Sequence, residues 1–146
     1  YFFIRDYRVL NRYFYSFLAL QVFSNLIFLS WPTTFPRFYF PLPNDLDVIT
    51  RLVFSSLRTT DTPASCCPSL HVSSVYLSAF VFLDEQIKKF PYFFIWASLI
   101  AASTLTTKQH YLVDVIAGLS LAVIFYVLFH RYMPYRETAL GDQAKR

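Results

Sequence analysis

The sequence predicts an all-α transmembrane helical bundle with about four spanning helices and a short interfacial amphipathic helix. Of its 146 residues, 55% are hydrophobic and only 15% are charged, whereas about a quarter of the residues of a soluble domain are charged. The apolar residues form four stretches with at most one formal charge each, at 13–31, 62–83, 90–107 and 111–129. A helix as long as the first stretch reaches about 28 Å, close to the hydrocarbon thickness of a bilayer.

The first predicted span, 13–31, ends where Trp31 is followed by Pro32. Tryptophan favours the membrane–water interface, and proline cannot continue the hydrogen-bond ladder of a helix. Residues 1–12 are basic and rich in aromatic side chains, so we expect them to form a juxtamembrane segment.

The connection at 32–61 is the longest polar segment between the predicted spans. Apolar side chains recur within it at helical spacing. They are Leu46, Ile49, Leu52, Val53 and Leu57. This pattern predicts a short amphipathic helix that lies on the membrane surface. Asn44 or Asp45 is the expected N-cap of this helix.

The second predicted helix begins near Pro68, because proline fits the first turn of a helix, and it runs to about Leu83. Three polar side chains share one of its faces. They are His71, Ser74 and Ser78. We expect this face to point into the bundle rather than toward lipid.

The third helix is predicted at about 91–107 and the fourth at about 111–129. In the fourth helix, Gly118 lies four residues beyond Asp114 and therefore on the same face. A glycine at this position permits the close approach of another backbone.

Lysine and arginine are distributed unevenly between the predicted loops. With a cytoplasmic N-terminus, the cytoplasmic side holds Arg5, Arg8, Arg12, Lys88, Lys89, Arg131, Arg136, Lys145 and Arg146. The other side holds Arg37, Arg51, Arg58 and Lys108. This excess follows the positive-inside rule and places both His71 and His110 on the non-cytoplasmic side. The basic residues form no stripe and no base-stacking module, so a nucleic-acid partner is not expected.

His110 and Asp114 form the most informative pair of polar residues. They are four residues apart, which places them on the same face of a helix. A carboxylate just inside an apolar span costs about 2.5–3.5 kcal/mol on insertion scales, so it normally has a partner and a function. The pair is interpreted either as a structural ion pair or as an imidazole oriented by a carboxylate. His71 adds a second imidazole at the same membrane face. We therefore favour catalysis, with one imidazole attacking a phosphorus and the other protonating the leaving oxygen.

Other polar residues near this membrane face allow two interpretations each. Cys66 and Cys67 are adjacent, whereas metal-binding cysteines are usually separated by two or more residues. We therefore interpret the pair first as packing residues and, as a minor alternative, as part of a metal cluster. Arg37, Arg58 and Lys108 are either solvated charges at the headgroup boundary or donors to a phosphate dianion.

At these residues the chain resembles the type 2 phosphatidic acid phosphatase superfamily. Residues 68–71, Pro-Ser-Leu-His, are similar to the family's second motif, Pro-Ser-Gly-His, in a leucine-bearing form. Ser103, His110 and Asp114 keep the spacing of the third motif, and the typical Val-Ile-Ala-Gly follows at 115–118.

The resemblance implies a role for each of these residues. His110 would be the nucleophile that forms a phosphohistidine, and Asp114 would orient it. His71 would protonate the departing alkoxide. Ser69 would help to hold the phosphoryl oxygens. The resemblance implies neither a cofactor nor a metal.

Two departures from the family pattern concern the cations that bind phosphate. The first motif, which ends in Arg-Pro, is absent, and Thr104 replaces the arginine of the third motif. Arg37 and Lys108 are the substitutes that we expect. Residues 32–37, Pro-Thr-Thr-Phe-Pro-Arg, are similar to a Pro-Thr-rich loop of inositol phosphorylceramide synthase-like proteins. This similarity slightly favours transfer of the phosphoryl group to a hydroxyl over its hydrolysis.

We expect a single membrane-embedded phosphatase-like domain over 1–146, with its core at 60–130, and an upstream part of the protein before Tyr1. The expected activity is metal-independent hydrolysis of a lipid phosphate at the non-cytoplasmic face of the membrane, which we expect to be the cell membrane. The alternatives are a lipid phosphotransferase, a non-catalytic membrane protein with a decayed site, and a metal-dependent hydrolase that uses Cys66 and Cys67.

Overall fold

The computed structural model describes residues 6–60, 64–107 and 109–133, and the fold within these ranges consists of five α-helices. They are α1 (Tyr7–Ser30), α2 (Val48–Thr60), α3 (Leu70–Glu85), α4 (Phe90–Thr106) and α5 (Leu112–Tyr132). One 3₁₀ turn at Arg37–Tyr39 and one antiparallel bridge between Thr34 and Ala64 complete the regular structure of these residues. The prediction of an all-α bundle is confirmed.

α3 is the central helix of the bundle and packs against α1, α4 and α5. Val72 and Leu77 of α3 are fully buried, and Leu20 of α1 lies in the same hydrophobic core. Ala97 and Ala101 line the buried side of α4. Small side chains at a helix interface let two backbones approach closely, which suits a bundle in a membrane.

α1 and α5 are long and apolar enough to cross a membrane. α1 has 24 residues with a mean hydropathy of 1.4, and α5 has 21 residues with a mean hydropathy of 2.5. In each helix only 17% of the most apolar 18-residue window is buried, so most of its side chains face outward, as contact with lipid requires. α4 has 17 residues and α3 has 16, and membrane crossing by these two helices stays a prediction.

α1 begins earlier than the predicted apolar span. The Asp6 carboxylate accepts a hydrogen bond of 2.8 Å from the Arg8 N–H and caps the helix, so α1 starts at Tyr7 rather than near residue 13. Residues 7–12 of the segment predicted to lie beside the membrane therefore form the first turns of α1, and residues 1–5 lie outside the described part of the chain. Arg12, which limited the apolar stretch in the sequence, is only 7% exposed.

Arg12 belongs to a polar cluster at the end of the bundle where α1 begins. Its Nη1 lies 3.4 Å from Asp84 Oδ2 and 3.0 Å from His130 Nδ1, and its Nη2 donates to the Met133 carbonyl. The Tyr126 hydroxyl donates to Asp84 Oδ1. These contacts tie α1, α3 and α5 together and offset the cost of burying the guanidinium.

The predicted amphipathic helix is α2, although Leu46 of the predicted apolar set precedes its start. Val48, Ile49, Leu52 and Val53 are exposed, as a helix that lies on a membrane requires. Its N-cap is Asp47, and the expectation of Asn44 or Asp45 is wrong, because Asp47 Oδ2 accepts the Thr50 N–H at 3.0 Å. Hydrogen bonds from the Thr50 hydroxyl and backbone lower the pKa of the Asp47 carboxyl.

Ser74 and Ser78 of the predicted polar face of α3 point into the bundle, whereas His71, the third residue of that face, is exposed. Ser78 Oγ shares a hydrogen bond of 2.8 Å with the Tyr13 hydroxyl, and Ser74 Oγ accepts one of 3.4 Å from Gln21 Nε2. Both partners lie on α1, so these hydroxyls are satisfied within the helix bundle rather than facing lipid.

α5 approaches α3 most closely at Gly118. A Cβ atom on this glycine would lie 2.6 Å from the Ser69 carbonyl oxygen and 3.2 Å from Val72 Cβ. The first of these distances is far below van der Waals contact, so only glycine fits without movement of the α3 N-terminus. The predicted close approach at Gly118 is confirmed.

Gly118→Ala is expected to destabilise the bundle, because the added methyl group meets backbone rather than a flexible side chain. Overpacking of this kind costs about 1–3 kcal/mol. The free energy of unfolding, measured in mixed detergent micelles, should fall by that amount. Ser120→Ala, at an exposed position of the same helix, is the control and should stay within about 0.5 kcal/mol of the parent. Equal stabilities of the two variants would contradict the packing argument.

Candidate active site

His71 and His110 lie at the same end of the bundle. His71 is the second residue of α3, and His110 lies in the link between α4 and α5. The centroids of their rings are 6.1 Å apart, with an interplanar angle of 62°. His71 is exposed and His110 is only 9% exposed, so an enclosed imidazole has an accessible imidazole as its neighbour.

Asp114 connects His110 to the start of α5. Its side chain is buried, and its Oδ2 atom lies 3.6 Å from His110 Nδ1. The same oxygen accepts a hydrogen bond of 2.9 Å from the Tyr111 N–H, which holds the carboxylate against the first turn of the helix. The Asp114 carbonyl oxygen accepts the Ser69 N–H at 3.1 Å. Asp114 thus joins the two helix starts that carry the histidines.

The link that carries His110 is fixed by the last turn of α4. The Thr104 carbonyl accepts the N–H groups of Gln109 and His110 at 3.0 and 3.3 Å. The Thr104 side chain is buried and donates to the Ala101 carbonyl at 2.8 Å. The residue that replaces the arginine of the third motif is therefore satisfied within α4, and its hydroxyl stabilises the helix end.

The loop between α1 and α2 supports the loop that precedes α3. The Thr33 carbonyl accepts the N–H groups of Ser65 and Cys66 at 2.7 and 3.3 Å, and Thr33 Oγ1 accepts the Cys67 N–H at 2.8 Å. Ser65 has a left-handed φ of 61°, which is uncommon for a residue with a Cβ and persists where the surrounding contacts fix it.

Phe35 extends the same support to the start of α5. Its side chain is buried, and its ring centroid lies 4.6 Å from that of Tyr111, the N-cap residue of α5. The segment that begins at Thr33 therefore contacts the residues immediately before both α3 and α5. Its packing restricts the movement of the two loops that position the histidines.

A cavity of about 460 Å³ opens beside the two histidines. Asn25, Phe28 and Leu29 of α1 line it together with His71, Gln109 and His110. The lining is therefore partly apolar and partly polar. Such a lining matches a ligand that has both a polar head and an apolar tail.

Cys66 and Cys67 both carry free thiols. Burial raises the pKa of the Cys67 thiol, and the charge of Asp114 and a hydrogen bond to its carboxylate raise that pKa further. The thiol therefore stays protonated at neutral pH and is a poor nucleophile and metal ligand. Within 6–60, 64–107 and 109–133, no three His, Cys, Asp or Glu side chains form a group that could hold a metal ion.

The structure brings His71, His110 and Asp114 together, and their catalytic roles stay predictions. Ser69 is fully buried, and its hydroxyl accepts a hydrogen bond from the Val72 N–H, so Ser69 is the N-cap of α3. A contact between Ser69 and substrate stays a prediction. Two predicted phosphate ligands, the Arg37 side chain and Lys108, lie outside the described part of the chain.

The sequence did not predict the contacts that Gln109, Thr33 and Cys67 make near the site. Gln109 is 8% exposed and lines the cavity, and no hydrogen bond of its side-chain amide is found within the described residues. Thr33 Oγ1 accepts the Cys67 N–H across a sequence separation of 34 residues. The signals available in the sequence were the position of Gln109 directly before His110, the Pro-Thr-rich segment that contains Thr33, and the adjacent cysteines.

Comparison with known proteins identifies the family. A family model described as the PAP2 superfamily matches residues 1–128, which is most of the chain. Searches of curated proteins and of solved structures found no match. The chain belongs to the PAP2 superfamily, as the two sequence motifs predicted, and the superfamily supports a phosphatase-type enzyme.

Thr33→Val is expected to weaken the support of the α3 loop, because it removes the acceptor of the Cys67 N–H while it keeps the shape of the side chain. Loss of one hydrogen bond of this kind costs about 1 kcal/mol. The measurement is the free energy of unfolding in mixed micelles. Thr34→Val, at the exposed neighbouring position, is the matched control. If both variants are as stable as the parent, Thr33 does not hold this loop.

Proposed function

We propose that this member of the PAP2 superfamily is a metal-independent lipid phosphate phosphatase that acts through a phosphohistidine on the non-cytoplasmic side of the membrane. The observation that carries the proposal is the arrangement of His71, His110 and Asp114. The two rings are 6.1 Å apart, and the carboxylate lies 3.6 Å from His110 Nδ1. Histidine changes its charge near neutral pH, so two histidines in one site supply a nucleophile and an acid.

His110 is the nucleophile of the first step. Because Nδ1 faces the Asp114 carboxylate, the proton of the neutral ring resides on Nδ1 and the lone pair on Nε2. Nε2 attacks the phosphorus, an N–P bond forms, and the P–O bond to the lipid breaks. The carboxylate orients the ring and stabilises the positive charge that develops on it.

His71 is the general acid and then the general base. Its imidazolium gives a proton to the lipid oxygen as the P–O bond breaks. The neutral imidazole that results takes a proton from the water that attacks the phosphohistidine, the N–P bond breaks, and inorganic phosphate leaves. Acid–base catalysis by one positioned side chain contributes about 10²–10⁴-fold to a rate.

The lining of the cavity supports a lipid as the substrate. Phe28 and Leu29 belong to α1, a helix long and apolar enough to cross a membrane, and Leu29 is 81% exposed on its surface. An acyl chain in the bilayer can therefore lie along α1 while its phosphate reaches the histidines. This geometry favours a substrate that stays partly in the membrane.

Phosphoryl oxygens also require donors at the site. We keep Arg37, Lys108 and Ser69 as the proposed ligands, because the first motif of the family is absent and Thr104 lacks a charge. The excess of lysine and arginine on the opposite loops supports a site on the non-cytoplasmic side. The membrane that we propose is the cell membrane.

A lipid phosphotransferase is the second candidate. It would use the same phosphohistidine, but the hydroxyl of a sugar or polyol would replace water as the acceptor. The observation that favours it is the contact of Thr33 with the loop before α3, because the Pro-Thr-rich segment thereby belongs to the site. Formation of a new phosphodiester on addition of a polyol would distinguish transfer from hydrolysis.

The purified protein in detergent, given short-chain phosphatidic acid and EDTA, is expected to release phosphate. His110→Ala should reduce the release to background, because the nucleophile is lost. His71→Ala should lower kcat by about 10²–10⁴-fold. The third histidine, His130, lies at the other end of the bundle, so His130→Ala is the matched control and should retain activity within about threefold, a change of roughly 0.7 kcal/mol in the barrier.

Three other results of this experiment would count against the proposed phosphatase mechanism. Activity of His110→Ala equal to that of the parent would overturn the proposed nucleophile. Loss of activity in EDTA would favour a metal-dependent hydrolase. Absence of release by the parent, with or without a polyol acceptor, would favour a non-catalytic protein.

A further inference from the structure

Gln109 lies directly before His110, the proposed nucleophile, and its side chain is largely buried. It is only 8% exposed, and it lines the cavity of about 460 Å³ together with His71 and His110. Its N–H donates to the Thr104 carbonyl at 3.0 Å, so the end of α4 fixes its main chain. Within the part of the chain that the structure describes, its side-chain amide has no hydrogen-bond partner.

A buried amide requires hydrogen-bond partners. An amide that leaves water without gaining a hydrogen bond destabilises the folded protein, so most buried side-chain polar atoms are paired. The amide of a glutamine carries two N–H donors and one carbonyl acceptor. Because Gln109 borders the cavity, a molecule bound in the cavity can supply the partner that the described residues do not.

The last turn of α4 offers no other side-chain donor at the position of the missing arginine. Thr104 stands at that position, and its hydroxyl donates to the Ala101 carbonyl at 2.8 Å. The Thr104 carbonyl, in turn, accepts the Gln109 N–H. The residue that replaces the arginine therefore holds the main chain of Gln109, whose amide retains its donors.

The position of Gln109 also suits the proposed reaction. The rings of His71 and His110 are 6.1 Å apart, and Gln109 lines the same cavity. A phosphoryl group attacked by one imidazole and protonated by the other would lie in this cavity. Its oxygens carry negative charge and accept hydrogen bonds, so the N–H groups of the amide match them and the carbonyl does not.

We propose that Gln109 is a substrate-binding residue, whose side-chain amide donates hydrogen bonds to the phosphoryl oxygens and holds the phosphorus in front of His110. This inference rests on the proposed function, in which His110 attacks that phosphorus. The nucleophile and a phosphate ligand then occupy adjacent positions of one short link fixed by α4. As a neutral donor, Gln109 adds to the cations proposed above without adding charge to the site.

The first measurement is the binding of inorganic phosphate at constant pH, followed by NMR of ¹⁵N-histidine-labelled protein in detergent. The signals of His71 and His110 report on the cavity, because both residues line it. The third histidine, His130, lies beside Arg12 at the other end of the bundle and serves as the internal reference. The two cavity signals of the parent are expected to shift with phosphate until they saturate, which gives a Kd.

Gln109→Leu removes both N–H donors and keeps the approximate size of the side chain. A hydrogen bond to a charged group contributes about 10–100-fold to affinity, so the Kd for phosphate should rise by that factor. Gln109→Glu places a carboxylate near the phosphate and should weaken binding at least as much. It also tests the inference if the leucine variant does not fold. Gln86→Leu, at the end of α3 far from the histidines, is the matched control and should keep the Kd within about twofold, less than 0.5 kcal/mol.

Kd values of Gln109→Leu and Gln109→Glu within about twofold of the parent would overturn the inference, because a purely structural glutamine would change stability and not affinity. Unchanged signals of His71 and His110 in the parent would overturn it as well. Turnover of short-chain phosphatidic acid is the second measurement. With the parent active, Gln109→Leu should lower kcat/KM by about 10–100-fold. A parent that binds inorganic phosphate but releases none from the lipid would count against the proposed function alone.

Discussion

The close contact between the starts of α3 and α5 is the constraint on which the site depends. A Cβ atom at Gly118 would lie 2.6 Å from the Ser69 carbonyl, and the Ser69 N–H donates to the Asp114 carbonyl at 3.1 Å. His71 follows Ser69 by two residues, and His110 precedes Asp114 by four. Backbone contacts between buried residues therefore set the separation of the two helix starts that carry the imidazoles.

The two ends of the bundle are held in different ways. At one end, the buried Arg12 guanidinium and the Asp84 carboxylate join α1, α3 and α5 through side-chain contacts. At the other end, Thr33 and Phe35 hold the loops before α3 and α5, and the cavity lies beside them. Among the described residues, the pocket beside Arg12 and Asp84 holds only about 10 Å³, whereas the cavity beside the histidines holds about 460 Å³ and has room for a ligand.

The sequence was sufficient for the features that depend on local spacing and composition. His110 and Asp114 are four residues apart, and Gly118 continues the same face, so their placement followed from helical periodicity. The support of the loop before α3 depends on contacts of Thr33 with Ser65 and Cys67, residues that are far from it in sequence, and periodicity contains no information about such contacts. The start of α1 was missed because Arg12 resembled a membrane boundary, although Asp84 neutralises it.

The measurement that tests the account most directly is the identification of the phosphorylated residue during turnover. The protein would be mixed with radiolabelled phosphatidic acid, quenched in alkali and digested, and the labelled peptide would be identified by mass spectrometry. The account predicts a label that is stable in alkali, labile in acid and located on His110. Turnover with no label on His110, or with the label on another side chain, would contradict it.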